Sequence, residues 1–249
     1  MDDLILDTTG FSISPIYLVS ISLAFLLVFV FPLTKDFTTK KEKNQYFYLQ
    51  GITFMGAIFG AKLAVLMGDA LWPIKPFYHW FELIFTGKSI VGALLFGFLF
   101  AEAAKPLMGY KRLPNDRFAI ILPFSIAIGR VGCWFSGCCL GLKNTTALSL
   151  KHIDGISRYP IAPIEIMFHL ITGLLLVSFF RKKIYQGQLF AIFIIMYGTF
   201  RFFSEFIRVT EKVFWGYSAY QLFAIALVIA GLTSFIARRH KTLGESYAN

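Results

Sequence analysis

Long apolar runs recur along the chain, and polar residues collect in the short segments between them. A helix needs roughly 20 mainly apolar residues to cross the hydrocarbon core of a bilayer. The runs that approach this length are 15–33, 50–68, 89–104, 118–140, 162–180, 188–207 and 219–237. We therefore predict an all-α, polytopic membrane protein with about seven transmembrane helices. No linker interrupts the pattern, so a single transmembrane domain is predicted over residues 1–249.

The composition agrees with a protein that spans a membrane. Hydrophobic residues make up 57% of the chain, and charged residues make up only 15%. A soluble domain usually contains about 25% charged residues. The first apolar run has no Lys or Arg before Lys35, whereas a secretory signal peptide begins with positive charge. We therefore expect this run to remain in the membrane as a helix.

The positive charge lies mainly in alternate loops between the apolar runs. The formal net charge is +10, which in a soluble protein would suggest nucleic acid as a partner. Lys and Arg are denser in the segments 35–43, 105–117, 181–183 and 238–241 than in the loops that alternate with them. Because cytoplasmic loops carry an excess of Lys and Arg, we predict an outside N-terminus, a cytoplasmic C-terminus and no nucleic-acid partner. The loop 69–88, which is rich in aromatic residues, is predicted to lie at the membrane interface.

One charged residue inside an apolar run, Arg130, lies in a stretch with many glycines. Charges within spanning helices are costly and usually functional. If the helix continues through this stretch, the residues on the face of Arg130 are Cys133, Gly137 and Cys138 or Gly141. A guanidinium among such small residues is suited to bind a phosphate with two hydrogen bonds. The alternative is a structural role, in which Arg130 pairs with a carboxylate and holds two helices together.

The sixth apolar run contains a polar stripe. Tyr197, Arg201, Glu205 and Arg208 follow each other at helical spacing, and phenylalanines occupy half of the positions between them. Arg201 and Glu205 are one turn apart and can form an ion pair that orients the guanidinium. A self-neutralised pair at the membrane edge is the alternative. The stripe extends over about three turns, however, which is longer than such a pair requires.

Other ionisable residues are weaker candidates. Glu165 opens the fifth apolar run, where a carboxylate also suits a helix N-terminus, and His169 one turn later is interpreted as a packing residue. Lys62 can extend its amine towards the surface or add to a phosphate site. These groups are too few to predict a metal site, and no cofactor is predicted. The only cysteines are Cys133, Cys138 and Cys139. An odd-numbered group in one apolar segment is a poor disulfide framework.

Together these residues predict a site for an anionic lipid within the membrane. Two arginines, one or two glutamates and a tyrosine would face an interior lined by glycine. Arginine can bind the lipid phosphate and stabilise negative charge on a departing phosphate group. Charge alone does not separate a lipid-dependent enzyme from a lipid transporter.

Short segments in several of these regions match, in chain order, a pattern known from one family of membrane enzymes. They are Gly60-Ala61-Lys62, Gly129-Arg130 to Gly141, Arg158-Tyr159-Pro160 followed by Glu165, Tyr197-Gly198 with Arg201, Glu205 and Arg208, and Ser218-Ala219-Tyr220-Gln221. The order of these segments and the number of predicted helices resemble the bacterial prolipoprotein diacylglyceryl transferases. The chain is identified as a divergent member of that family.

The resemblance implies a polytopic transferase of the bacterial cytoplasmic (inner) membrane. Such an enzyme moves the diacylglyceryl group of phosphatidylglycerol onto the lipobox cysteine of a lipoprotein precursor, forms a thioether and releases glycerol phosphate. The resemblance also implies that Arg130 and Arg201 hold the lipid phosphate and that Glu205 orients Arg201, which makes these three residues catalytic. The residues implied to bind the substrate are Arg130, Gly141, Glu165, Tyr197, Arg201, Arg208 and Cys138.

Some positions depart from the family pattern. Val91 occupies the place of a histidine proposed as the base, and the family's tyrosine of the first helix falls near Ile21, one turn from Tyr17. Within the glycine-rich stretch the replacements are Cys133 and Ser136 for asparagines and Cys138 for a glutamate. These changes affect activation of the acceptor more than binding of the phosphate. Two alternatives therefore stay open: transfer to another acceptor, and a lipid-binding or transport protein without catalysis.

Cys138 itself has two interpretations. A nearby Arg130 would lower the pKa of its thiol and favour a nucleophile that carries a lipid intermediate. Buried cysteines more often serve as small packing residues, and we favour that interpretation.

Overall fold

The apolar runs form helices. The computed structural model describes residues 15–30, 39–69, 76–78, 80, 83, 87–110, 116–152, 155–212 and 215–247. Its helices are α1 Pro15–Val30, α2 Lys40–Asp69, α3 Ile90–Leu107, α4 Asp116–Ser136, α5 Ile161–Arg181, α6 Leu189–Ser204 and α7 Ala219–Tyr247. A 3₁₀ turn, Glu205–Ile207, follows α6, and two short strands, β1 Leu150–Lys151 and β2 Ser157–Arg158, pair antiparallel.

Within the described residues, six helices, α2 to α7, are long and apolar enough to cross a membrane. The span of α6 includes the 3₁₀ turn, and the span of α7 covers Ala219–Arg238. The predicted all-α, polytopic membrane fold is therefore confirmed. The described part of the first run, α1, has 16 residues and is shorter than a full span. The seventh crossing and the orientation in the membrane stay predictions.

The helix ends differ from the limits of the apolar runs. α2 begins at Lys40, well before the apolar run at residue 50, because Lys, Glu and Gln are good helix formers. α7 likewise continues past residue 237 to Tyr247. α4 ends at Ser136, whereas the sequence predicted a helix through residue 140. Gly137 follows with φ +64°, and this left-handed conformation ends the helix.

The chain divides into two compact units. The first unit contains Met1–Phe31 and Ile121–Leu174, and the second contains Pro32–Ile120 and Leu175–Asn249. The first therefore holds α1, most of α4, the strands and most of α5, and the second holds α2, α3, α6 and α7. The single-domain organisation stays a prediction. Much of the aromatic loop 69–88 lies outside the described residues.

In the second unit, two glycines bring α2 and α3 into contact. A Cβ atom on Gly60 would lie 2.2 Å from the carbonyl oxygen of Gly92, and one on Gly92 would lie 2.2 Å from the carbonyl oxygen of Gly60. Because glycine lets two backbones approach closely, this pair sets the distance between the helices. Val91, next to Gly92 in the chain, is buried beside this crossing.

Contacts at the N-terminus and in the interior of α6 hold it in place within the second unit. Its N-terminus is capped by Asp116, whose carboxylate accepts hydrogen bonds from the backbone N–H groups of Gly187 and Leu189. A carboxylate there satisfies N–H groups that have no partner inside the helix. Further along, Gly198 packs against the side chain of Val228 on α7. These contacts position the helix that carries the predicted polar stripe.

In the first unit, α4 packs on both α1 and α5. The Ser125 hydroxyl on α4 donates to the Ala24 carbonyl oxygen on α1 at 2.8 Å. On the α5 side, a Cβ atom on Gly173 would meet the ring of Phe124 at 2.7 Å. Arg130 lies on the same helix, a few residues after Ser125. Contacts with α1 and α5 therefore fix the helix that carries its side chain.

Candidate active site

Arg130 on α4 pairs with Glu165 on α5 in the first unit. The Arg130 Nε atom lies 2.5 Å from Glu165 Oε2, and Glu165 is 0% exposed. A buried carboxylate needs such a partner because removal of a lone charge from water is costly. Nothing in the sequence indicates that these two residues meet. The pair corresponds to the structural alternative for Arg130, and it also fixes the direction of the guanidinium.

The same guanidinium contacts cysteine sulfurs. Arg130 Nη1 lies 3.2 Å from Cys139 Sγ and 3.9 Å from Cys133 Sγ. Cys138 completes the group, with its Sγ 3.9 Å from Cys139 Sγ. The neighbouring thiols of Cys133 and Cys139 raise the pKa of the Cys138 thiol. This direction is opposite to the lowering that was expected from Arg130, and it makes Cys138 a weaker nucleophile.

The predicted helical face of Arg130 is wrong beyond Ser136. Cys138 lies in the loop after α4 and not on the helix. The cause is the left-handed turn at Gly137, which folds the chain back so that the Cys138 N–H donates to the Cys133 carbonyl oxygen at 3.3 Å. The turn, rather than helical periodicity, therefore brings the later cysteines back to α4.

Gly141 also lies beyond α4, so its predicted place on the helical face is wrong too. A Cβ atom on Gly141 would lie 2.2 Å from the carbonyl oxygen of Tyr159. The buried Arg158 donates from Nη1 to the Gly141 carbonyl oxygen at 3.3 Å. The close approach that Gly141 permits is therefore that of the protein backbone. It joins the loop after α4 to the segment that leads into α5.

Tyr17 belongs to the same part of the first unit. A Cβ atom on Gly132 would lie 3.2 Å from the Tyr17 Cα atom, so α1 passes directly over α4 there. The phenol interacts electrostatically with Arg130 and with all three cysteines. Tyr17 was not among the predicted site residues, and the only sequence signal was its place one turn from Ile21. The buried His169 also interacts with the charge of Arg130.

In the second unit, the polar stripe forms a cluster around Glu205. Its Oε2 atom lies 2.8 Å from Arg201 Nη2 and 3.7 Å from Arg208 Nε. Glu205 is 0% exposed, so its charge depends on these partners. The predicted Arg201–Glu205 pair is present. The prediction of one continuous helical face is wrong, because the helix gives way to a 3₁₀ turn at Glu205 and Arg208 is extended, with φ −99° and ψ 151°.

Residues outside α6 also hold Glu205. The Ser218 hydroxyl donates to Glu205 Oε1 at 3.3 Å, and Lys212 Nζ donates to the Glu205 carbonyl oxygen at 2.7 Å. Arg201, Arg208 and Lys212 thus place three cationic side chains around one carboxylate. A cluster with excess positive charge favours an anionic ligand. Lys212 was missed because, in the sequence, it is one of several lysines in outer loops.

Tyr220 on α7 contacts the guanidinium of Arg201 with the face of its ring. The Arg201 Cζ atom lies 5.6 Å from the centre of the Tyr220 ring, within the range of a cation–π interaction. The Tyr220 hydroxyl donates to Asp69 Oδ2 at 2.7 Å. Gln221 accepts a hydrogen bond from the Ser218 backbone N–H at 2.9 Å. The segment 218–221, which carried part of the family resemblance, therefore contacts both members of the Arg201–Glu205 pair.

Two further candidates contact other parts of the second unit. Tyr197 is 1% exposed, and its ring stacks on Phe193 with 6.2 Å between the ring centres. Lys62 Nζ donates to the Gly87 carbonyl oxygen at 2.8 Å, which links α2 to the segment before α3. Tyr197 thus lies one turn before Arg201 on α6.

The amino-acid sequence is also similar to known proteins. A family model described as prolipoprotein diacylglyceryl transferase matches residues 5–237. Proteins named phosphatidylglycerol–prolipoprotein diacylglyceryl transferase are also similar. The one from Campylobacter hominis is 26% identical over 80% of this chain and 76% of its own length. The one from Dehalococcoides mccartyi is 28% identical over 75% of this chain and 74% of its own length. The one from Campylobacter jejuni is 27% identical over 90% of this chain and 88% of its own length.

The family match extends over both arginine–carboxylate pairs and over the helices that carry them. It covers nearly the whole chain rather than one motif. The predicted family is thus confirmed: the chain belongs to the prolipoprotein diacylglyceryl transferase family.

Proposed function

We propose that this chain transfers the diacylglyceryl group of phosphatidylglycerol to the lipobox cysteine of a lipoprotein precursor. Membership of the family makes it a diacylglyceryl transferase, and the similar proteins carry both substrates in their names. Its apolar helices make it a multi-pass membrane protein, and the similar proteins come from bacteria. We therefore place the reaction in the bacterial cytoplasmic (inner) membrane.

The observation that carries the proposal is the cationic cluster around Glu205. A guanidinium has five N–H donors, which is more than the single carboxylate can accept from Arg201. We propose that Arg201 binds the lipid phosphate while it stays paired with Glu205. Arg208 and Lys212 place two more positive charges beside the same carboxylate. A phosphodiester, with its single negative charge, suits this arrangement.

The proposed reaction increases the negative charge on the phosphate. The acceptor thiolate attacks the glyceryl carbon that carries the phosphate ester. A C–S bond forms, and the C–O bond breaks with its electron pair moving to the phosphate oxygen. Glycerol phosphate then leaves with one more negative charge than the phosphodiester had. Arg201, held in direction by Glu205, would stabilise this charge as it develops, and interactions that strengthen in the transition state accelerate the reaction.

The first unit holds the other proposed catalytic residue. We propose Arg130, oriented by Glu165, as a second group that binds the phosphate and lowers the barrier. The Arg130–Cys139 contact places thiols next to this guanidinium. The other proposed substrate-binding residues are Gly141, Tyr197, Arg208 and Cys138.

The test uses purified protein, phosphatidylglycerol labelled in its acyl chains and a peptide with a lipobox cysteine. We expect label on the peptide cysteine with the wild type, and a rate at least about 100-fold lower for Arg201→Ala, as for loss of other groups that stabilise developing charge. Arg181→Ala removes an exposed arginine at the end of α5 and should leave the rate unchanged.

Three results would contradict the proposal. Release of glycerol phosphate without labelled peptide would indicate another acceptor. Binding of lipid without turnover would indicate a lipid-binding or transport protein. Equal rates for Arg201→Ala and wild type would remove the assigned role of the cluster.

A further inference from the structure

The three cysteines form a group of sulfurs at the end of α4. The Sγ atoms of Cys133, Cys138 and Cys139 all lie within 4.8 Å of one another. The Cys138–Cys139 separation is 3.9 Å, far longer than the S–S bond of about 2.05 Å, so this pair is not a disulfide. The sequence holds no other cysteine. A group of three thiols is the ligand set of thiophilic metal ions such as Zn²⁺.

The spacing of the sulfurs agrees with tetrahedral coordination. A Zn–S bond of about 2.3 Å separates neighbouring ligands of a tetrahedral site by about 3.8 Å. The distance of 3.9 Å between the Sγ atoms of Cys138 and Cys139 is close to this ligand separation. The longest distance between two of the three sulfurs exceeds it by no more than about 1 Å. Small rotations of the side chains would therefore bring all three sulfurs into coordination.

The backbone holds these ligands together without a metal. Cys133 lies in the last turn of α4, and the left-handed turn at Gly137 reverses the chain. Hydrogen bonds from Gly137 N–H to the Trp134 carbonyl and from Cys138 N–H to the Cys133 carbonyl, both 3.3 Å, fix the turn. The turn therefore brings the three cysteines together before a metal binds. This lowers the entropy cost of ordering the ligands when the metal binds.

Arg130 lies beside the ligand set. Its Nη1 atom lies 3.2 Å from Cys139 Sγ and 3.9 Å from Cys133 Sγ, so the guanidinium can donate hydrogen bonds to these ligands and orient them while its Nε atom contacts Glu165. Groups that hydrogen-bond to metal ligands serve this purpose in known sites.

We propose that Cys133, Cys138 and Cys139 bind one Zn²⁺ ion, whose fourth coordination position receives the thiol of the acceptor cysteine. Three protein ligands and one open position are typical of catalytic rather than structural zinc. Cys138 is exposed, so the fourth position is open to a ligand from outside the protein. The acceptor part of this inference rests on the proposed function.

Coordination would prepare the acceptor for the transfer. Binding of Zn²⁺ displaces three protons from the cysteines into solvent. The acceptor thiol then replaces a water on the zinc and releases its own proton to solvent, because a thiol bound to Zn²⁺ is deprotonated. As its sulfur attacks the glyceryl carbon, the new C–S bond replaces the Zn–S bond and a water returns to the metal. No electron is gained or lost by the metal.

The experiment measures metal binding and transfer separately on the full-length protein in detergent, purified with a reductant. After loading with Zn²⁺ and removal of excess, we expect about one zinc per chain. Cys133→Ser, Cys138→Ser and Cys139→Ser should each reduce this content severalfold, while Thr145→Ala in the exposed loop beyond the cluster should not. Thermal unfolding of each variant shows whether it is folded.

A second readout uses the wild type alone and does not depend on any variant. With Co²⁺ in place of Zn²⁺, the sulfur-to-metal absorption bands should change when a lipobox peptide with cysteine is added. The same peptide with serine should leave the bands unchanged. Transfer of labelled lipid should fall at least tenfold after chelation and return with Zn²⁺.

The possible outcomes separate this inference from the proposed function. Zinc content below a tenth per chain, or content that does not depend on the cysteines, would refute the metal site. Absorption bands of the Co²⁺ protein that do not change when the cysteine peptide is added would refute binding of the acceptor thiol to the metal. Full transfer by metal-free protein would refute the inference and leave the proposed function intact. Cysteine-dependent binding of zinc and peptide without any transfer would refute the proposed function instead.

Discussion

Glu205 lies 2.8 Å from the guanidinium of Arg201, one turn earlier in the chain, at the point where α6 passes into a 3₁₀ turn. The helical spacing makes this pair local, and the tighter turn then brings Arg208 to within 3.7 Å of the same carboxylate oxygen. Two cations therefore depend on one buried anion. This dependence makes Glu205 the most informative position for mutation in the second unit.

Glu205→Gln keeps the size of the side chain and removes its charge. The buried Arg201 and the half-buried Arg208 would then lose this carboxylate, which we expect to cost about 3–5 kcal/mol of stability. The measurement is unfolding in detergent, alongside the transfer rate. Glu211→Gln, which neutralises a carboxylate that lies nearby in the sequence, should have little effect. Equal stability of Glu205→Gln and wild type would show that the cluster does not need the charge.

The Arg130–Glu165 pair can be tested by a double-mutant cycle. If the two side chains support each other, Arg130→Gln and Glu165→Gln together should cost less than the sum of the single changes, with a coupling of about 0.5–3 kcal/mol. Unfolding free energies of the four proteins provide the measurement. Arg130→Gln combined with Lys151→Gln on the exposed strand β1 serves as the control and should be additive. Additivity in both cycles would argue against the pair.

The crossing of α2 and α3 should not tolerate a methyl group. In Gly60→Ala the new Cβ would lie 2.2 Å from the Gly92 carbonyl oxygen, so the helices must separate. We expect a loss of stability of several kcal/mol or failure to accumulate in the membrane. Gly51→Ala on the same helix meets nothing within 4 Å and should stabilise the helix by up to about 1 kcal/mol. Similar behaviour of the two variants would contradict the close contact.

Gly141→Ala should disturb the loop after α4. Its Cβ would lie 2.2 Å from the Tyr159 carbonyl oxygen, and relief of this contact would shift the segment that Arg158 holds. We expect the transfer rate to fall at least about tenfold, since displacements of this size at a reaction site are costly. The control is Gly129→Ala on α4, where a Cβ meets nothing within 4 Å. A fall in both variants would indicate a general effect of lost glycine.

The features predictable from the sequence are those set by neighbouring residues. Apolar runs define spanning helices because length and composition alone decide whether a helix can cross a bilayer. The Arg201–Glu205 pair was predictable for the same reason, since one helical turn separates the two residues. The family resemblance indicated that several distant segments belong to one site. The periodicity of this chain alone does not indicate this.

The features that were missed depend on contacts between distant segments. The hydrogen bond from Tyr220 to Asp69 joins residues 151 positions apart, and the Arg130–Glu165 pair requires α4 to pack on α5. The cysteine group and the true end of α4 depend on the positive φ of Gly137, one of several glycines in that stretch. Sequence does not indicate which of these glycines turns the chain.

The reciprocal contact of Gly60 and Gly92 also restricts how this protein can move. Turning α2 by about 100°, the angle of one residue, would bring the bulkier Phe59 in place of Gly60 towards the opposing backbone. We therefore expect α2 and α3 to keep their relative rotation during turnover. Rearrangements within the second unit that admit a lipid or release a product are then expected in its other helices and loops.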